Sequence, residues 1–272
     1  MLTRPIPNSA EQLSVIGVGT WERFDVAPNH PKRKALREVL DVLFKAGGRL
    51  IDSSPMYGQA EGVVGDLLLG SSVMPRPFLA TKVWTRGEEE GEREMQRSLK
   101  LMGGRLDLIQ VHNLLDWRVH LKTLERWKAG GRIRYMGITH YTPEAHSELE
   151  HVMRAAAWDF VQLDYSLEDR AAESRLLPLA AERGIAVIVN RPLGGGGLIR
   201  RLTQQPLPGW AGEQGYGSWA ELLLKFILAR PEVTCVIPGT GDPAHMREFV
   251  RAGKGEPLDV TSLARLRDVL NG

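Results

Sequence analysis

Eight short apolar runs, each followed by a longer amphipathic stretch, constrain the fold of this 272-residue chain more than any other feature. The runs are Val15–Gly19, Arg49–Asp52, Phe78–Lys82, Leu106–His112, Tyr135–Thr139, Phe160–Asp164, Ala186–Asn190 and Thr234–Pro238. They are short and nearly wholly apolar, as parallel strands covered on both faces are. The stretches between them read as helices over Lys34–Ala46, Ala60–Leu69, Glu92–Met102, His120–Ala129, Pro143–Arg154, Ala171–Arg183, Ser218–Ala229 and Pro243–Arg251, with a last one over Val260–Leu270. Gly47-Gly48, Gly103-Gly104, Gly130-Gly131 and Gly184 follow helical stretches, where a left-handed residue ends a helix at little cost. Thr142 and Asp242 each precede a proline and read as N-caps. Eight strand–helix units with no break in composition predict one domain, a closed (β/α)8 TIM barrel over residues 1–272. An open doubly wound sheet is the alternative.

Hydrophobic residues make up 43% of the chain and charged residues 25%, as in an ordinary globular protein. The 35 basic and 33 acidic residues leave a net charge of +2, so electrostatics supply no case for nucleic acid or a membrane surface as partner. The Glu88-Glu89-Glu90 run reads as a solvated loop or a helix start. The single cysteine, Cys235, lies in an apolar run and reads as a packed core residue; alone, it forms no internal disulfide. No stretch approaches the roughly 18 apolar residues of a membrane span. Met1 to Thr20 lacks a basic-then-apolar signal pattern, so a cytoplasmic protein is expected. No apolar stripe is left over, which makes a monomer the default expectation.

Chemistry in a barrel sits where the strands end. Asp52, Lys82 and His112 each lie at the end of a run, and Tyr57 lies five residues beyond Asp52. A lysine ending an apolar strand is costly to bury without a partner, and Asp52 is positioned to be that partner. A phenol beside the ammonium would have its pKa drawn below about 10 and become a usable proton donor near neutral pH. His112 can aim a second donor at the same oxygen. Each residue alone has an ordinary reading: a rim lysine, a turn carboxylate, a packed tyrosine, a satisfied histidine. As a sequential set of strand ends they form an acid suited to protonating a developing alkoxide. Gln162, inward in an apolar strand, requires a partner.

The chain resembles the aldo-keto reductase superfamily over nearly its whole length. The resemblance is carried by Gly17-Val-Gly-Thr-Trp21, Asp52-Ser-Ser-Pro-Met-Tyr57-Gly58, Thr81-Lys82-Val-Trp84, Gln110-Val-His112, Gly137-Ile-Thr-His140, Val161-Gln162, Arg191-Pro192-Leu193-Gly194 and Val236-Ile-Pro238-Gly239. It implies a barrel reductase of aldehyde or ketone carbonyls that uses a nicotinamide cofactor, most often NADPH, and no metal. On that reading Tyr57 is the general acid, Lys82 lowers its pKa, Asp52 pairs with Lys82 and His112 orients the carbonyl. The resemblance puts Thr139, His140 and Gln162 at the cofactor carboxamide; His140 is a departure from a common Asn. Asn190 stands where a stacking aromatic is usual. Gly19, Thr20, Trp21 and Asp52, then Arg191, Pro192, Leu193 and Gly195, line the rest of the nucleotide. Gly239 and Thr240 align with a phosphate-contact pair, and Glu248 with an adenine contact. His245 replaces an Arg that grips a 2′-phosphate, and Phe249 replaces an Asn, so NADH remains possible. Arg200, Arg201 or Arg247 are candidates to compensate, because a 2′-phosphate wants a charged fork. Trp21 and Trp84, with Tyr57 and His112, line the substrate pocket, and Trp117 is a further candidate.

Two other readings compete. A nucleotide-binding regulatory or redox-sensing barrel with little turnover would keep the fold and lose the chemistry. A metal-dependent barrel hydrolase fares worst, because the seven histidines form no strand-end pair. The Gly17-Val-Gly19 stretch lacks the third glycine and the immediate helix of a dinucleotide-binding sheet.

Overall fold

The computed structural model describes residues 1–69 and 76–270. The chain enters as a hairpin of β1 (Thr3–Pro5) and β2 (Gln12–Ser14). The eight runs then form β3 (Val18–Gly19), β4 (Leu50–Asp52), β5 (Phe78–Val83), β6 (Leu108–His112), β7 (Tyr135–Thr139), β8 (Phe160–Asp164), β9 (Ala186–Asn190) and β10 (Val233–Val236). All are parallel and each pairs with the next in sequence. Gly17 N donates to Val236 O at 2.9 Å and Val236 N to Val15 O at 2.9 Å, joining the first strand to the last. Parallel bridges Ile16–Val236 and Gly19–Gly239 complete the seam. The sheet is therefore a closed barrel, and the open alternative is set aside.

The period of two along each strand divides the residues cleanly. Outward positions such as Ile51, Leu79, Ile109, Ile138, Val161 and Val187 pack under the helices in one continuous core. Inward positions are apolar in their lower part: Leu50, Phe78, Leu108, Tyr135, Phe160, Ala186, Ile188 and Cys235 form a second core inside the barrel, with Ile6 and Leu13 of the hairpin region. Further along the same inward rows the residues turn polar. Register pairs Lys82 with Gln110, His112 with Thr139 and Thr139 with Gln162, so these side chains share the barrel interior at its C-terminal mouth. Gly137 leaves the space they use: a Cβ there would come 2.8 Å from Phe160 O and 3.2 Å from Gln110 Cγ.

The helices are α1 (Lys32–Lys45), α2 (Ala60–Leu68), α3 (Glu88–Leu101), α4 (Trp117–Ala129), α5 (His146–Ala155), α6 (Leu176–Arg183), α7 (Gly197–Leu202), α8 (Gly209–Glu213), α9 (Trp219–Leu228), α10 (Pro243–Ala252) and α11 (Val260–Asp268). Several differ from expectation. The acidic run is the first turn of α3, where carboxylates favour the helix dipole. The stretch predicted as Ala171–Arg183 is a single 3-10 turn followed by α6, because Pro178 is tolerated only in a first turn and sets the start at Leu176. Asp242 caps α10 through Ala244 N, whereas Thr142 makes no side-chain cap and Pro143 opens a 3-10 turn instead. The connection after β9 carries α7 and α8. The hairpin was not anticipated, since three-residue strands are too short to show a period.

Candidate active site

Lys82 is wholly buried at the end of β5. Its Nζ donates to Asp52 Oδ2 at 2.5 Å and to Ser53 O at 2.8 Å. The other carboxylate oxygen of Asp52 accepts from Gln110 Nε2 at 3.0 Å and Gln162 Nε2 at 2.9 Å. Asp52 can only accept, so it fixes the orientation of both amides, and Gln162 Oε1 is left to accept from Thr139 Oγ1 at 3.3 Å and Asn190 Nδ2 at 3.4 Å. One buried ion pair thus anchors a polar layer across the barrel.

Tyr57 enters from the loop after β4. Its amide donates to Ser54 O at 3.0 Å, closing a turn. Gly58 continues at φ +59°, and a Cβ there would lie 2.3 Å from Asp25 Oδ1, which itself accepts from Gln59 N. A side chain here would have to displace the Asp25 carboxylate and adopt a positive φ, and the turn that glycine permits holds the phenol ring with its centroid 5.0 Å from Lys82 Nζ. His112 presents its ring edge-on to Tyr57, with centroids 5.9 Å apart, and its Nδ1 lies 3.0 Å from Ser54 Oγ.

The electrostatics follow from burial and this one ion pair. Burial alone would pull the Lys82 ammonium down, but the Asp52 carboxylate and Tyr57 together outweigh it and hold the pKa above the ordinary lysine value. Burial pushes the Tyr57 phenol up; the Lys82 charge pulls it back and the Asp52 charge raises it again, leaving it above 10.0. The expectation of a phenol below its ordinary value is therefore corrected: Lys82 does pull it down, but burial, with the Asp52 charge behind it, outweighs that pull. Burial, and then the Lys82 charge, push His112 down to about 2, so the ring is neutral.

A cavity of about 1010 Å³ opens over this layer. Asp52, Tyr57 and His112 line it together with Trp21 and Trp84, and so do Thr139, Gln162 and Asn190. Gly19, Thr20, Arg191, Pro192, Leu193 and Gly195 also line it, as do Gly239, His245, Glu248 and Phe249. The structure does not bring His140, Thr240 or Trp117 to the wall. The His140 ring stacks on Tyr141, and Thr240 Oγ1 accepts from Asp242 N. Of the three compensating arginines, Arg200 lines the cavity, while Arg201 pairs with Glu168 and Arg247 with Glu38. The sequence reading assigned no role to Arg23, which lines the wall, or to Gln110 and Ser54, which bond to Asp52 and His112 behind it. Gln110 carried the same signal as Gln162, an amide inside an apolar strand.

The wall suits a dinucleotide. Gly194, Gly195 and Gly196 all have positive φ, and a Cβ at Gly195 or Gly196 would press on the guanidinium of Arg191 or Arg200. Asn190 Oδ1 is buried without a partner among the described residues, an acceptor awaiting a ligand N–H. No helix among the described residues is long and apolar enough to cross a membrane.

Comparison with known proteins gives the family. The sequence model of the Aldo/keto reductase family matches residues 15–271. The chain is 27% identical over 263 residues to the NADH-specific methylglyoxal reductase of Escherichia coli (strain K12), across 82% of this chain and 77% of that protein. It is 25% identical over 306 residues to the uncharacterized oxidoreductase YqkF of Bacillus subtilis (strain 168), across 98% and 96%. Among solved structures it resembles an aldo-keto reductase from Klebsiella pneumoniae in complex with NADPH, with TM-score 0.84 and 25% identity over 99% of this chain and 95% of that one. An aldo/keto reductase from the same organism with NADP and acetate gives TM-score 0.81 and 26% identity over 95% and 92%.

Proposed function

This chain belongs to the aldo/keto reductase family, and from that premise we propose that Tyr57, Lys82, Asp52 and His112 carry out the proton-transfer half of carbonyl reduction. The protein is an NAD(P)H-dependent oxidoreductase that converts aldehyde or ketone carbonyls to alcohols. The bound nicotinamide supplies the hydride.

The protein's own part is a proton and a field. An alkoxide is a far stronger base than a phenolate, so Tyr57 passes its proton downhill to the carbonyl oxygen even with its pKa held above the ordinary value. The phenolate then forms beside Lys82, whose charge stabilises it. Asp52 keeps Lys82 protonated, and neutral His112 donates to the same oxygen. The wall formed by Thr139, Gln162 and Asn190 would hold the carboxamide, and the end formed by Gly239, His245 and Glu248 the adenosine phosphate. The observation that carries this reading is the fully buried Lys82 held between Asp52 and Tyr57.

The reading is tested with Tyr57→Phe. Turnover of a panel of aldehydes should fall by about 10² to 10⁴, with cofactor affinity unchanged by tryptophan quenching; retained turnover would overturn the acid assignment. The cofactor is NADPH, with NADH also accepted, and Arg200 is the residue that favours the 2′-phosphate. NADPH should bind more tightly than NADH, and Arg200→Ala should remove the difference; equal wild-type affinities would contradict the role of Arg200. The enzyme acts on its small-molecule carbonyl in the cytoplasm as a monomer of 30.3 kDa, a mass that light scattering checks.

A further inference from the structure

Ser54 stands directly behind His112. It is fully buried, with Oγ 3.0 Å from His112 Nδ1 and 3.3 Å from the backbone nitrogen of Met56. The Met56 N–H can only donate, so Oγ accepts there. A hydroxyl carries one proton, and the ring nitrogen is the partner left to receive it. Nδ1 must then present a lone pair, which puts the ring's own proton on Nε2. His112 lines the cavity beside Tyr57, and with Nδ1 committed to the wall, Nε2 is the nitrogen available to a ligand.

The opposite arrangement is worse at both ends. If Nδ1–H donated to Ser54, the hydroxyl proton would be stranded in a fully buried site, a desolvation cost with no return. A bare Nε2 lone pair would then face the oxygen to which Tyr57 must deliver its proton. A charged ring is excluded separately, because burial and the Lys82 ammonium keep it neutral.

We infer that Ser54 is a positioning residue that locks His112 in the Nε2–H tautomer, so that a neutral histidine donates a hydrogen bond to the carbonyl oxygen. The inference rests on the carbonyl-reduction reading for its consequence, and on the Ser54–His112 geometry for the tautomer itself.

The test is a two-bond 15N–1H spectrum of histidine-labelled protein, with His112→Gln identifying the signal among the seven histidines. Wild-type His112 should show a single Nε2–H tautomer that does not protonate at mildly acidic pH. Ser54→Ala should show mixed tautomers, with kcat lower by about tenfold and cofactor affinity unchanged. Ser54→Thr, which keeps the hydroxyl, should restore both. A wild-type ring protonated at Nδ1 would overturn the inference without recourse to any variant. So would a Ser54→Ala protein that slows while its His112 stays wholly Nε2–H, since Ser54 would then be acting through the Met56 loop alone. If the spectra behave as stated but no carbonyl is reduced, the tautomer lock stands and the carbonyl-reduction reading fails.

Discussion

Lys82 and Asp52 are worth most to each other. Removing one partner of a buried pair leaves an uncompensated charge, so Asp52→Asn should destabilise the fold by about 3–5 kcal/mol, read by urea denaturation. Asn keeps a single acceptor oxygen, so it can serve either Lys82 or the Gln110 and Gln162 amides, and not both. His112 makes a separate claim on stability. Its folded pKa of about 2 lies below its ordinary 6.5. Above pH 6.5 the ring is neutral in both states; below it only the unfolded chain takes up the proton. Stability attributable to this residue is therefore lost as pH falls, at about 1.4 kcal/mol per unit. His112→Gln should show a shallower loss of stability between about pH 6.5 and 4.5; an unchanged slope would mean the ring is protonated in the folded state.

At the scale of elements, local signals worked where a side chain had a single thing to do. Asp242 reads as a cap and is one, accepting from Ala244 N at 2.8 Å, so Asp242→Ala should cost about 1 kcal/mol. Thr142 has the same sequence context and no cap bond, and Thr142→Ala should shift the urea midpoint far less. A larger effect at Thr142 than at Asp242 would reverse the comparison. The strand ends were legible because apolar runs stop at polar residues, which placed Asp52, Lys82, His112 and Thr139 on the mouth; Gln162 was legible instead as an amide inside an apolar strand. Ser54 was not legible: a serine in a turn has many partners open to it, and only the approach of β6 to the β4 loop selects His112.

The whole barrel keeps its stability and its chemistry at opposite ends. The hairpin β1–β2 places Leu13, with Ile6 just beyond β1, against the lower interior core, both with no exposed surface. Leu13→Ala should cost about 2–5 kcal/mol, depending on how far the core collapses, while leaving kcat close to wild type. A large loss of kcat in a folded Leu13→Ala protein would show that the two ends are coupled.

What the sequence determined by itself was the strand–helix alternation, the identity of the residues at each strand end, and hence the barrel and its candidate acid. These follow from apolar runs, amphipathic stretches and the residues that end them, local enough to be read along the chain. Tertiary structure alone decided that the last strand meets the first, that Arg200 rather than Arg201 or Arg247 faces the cavity, and that the Tyr57 phenol rests above its ordinary pKa. Each of these depends on which groups distant in sequence lie within a few ångströms, and on how much water their meeting excludes.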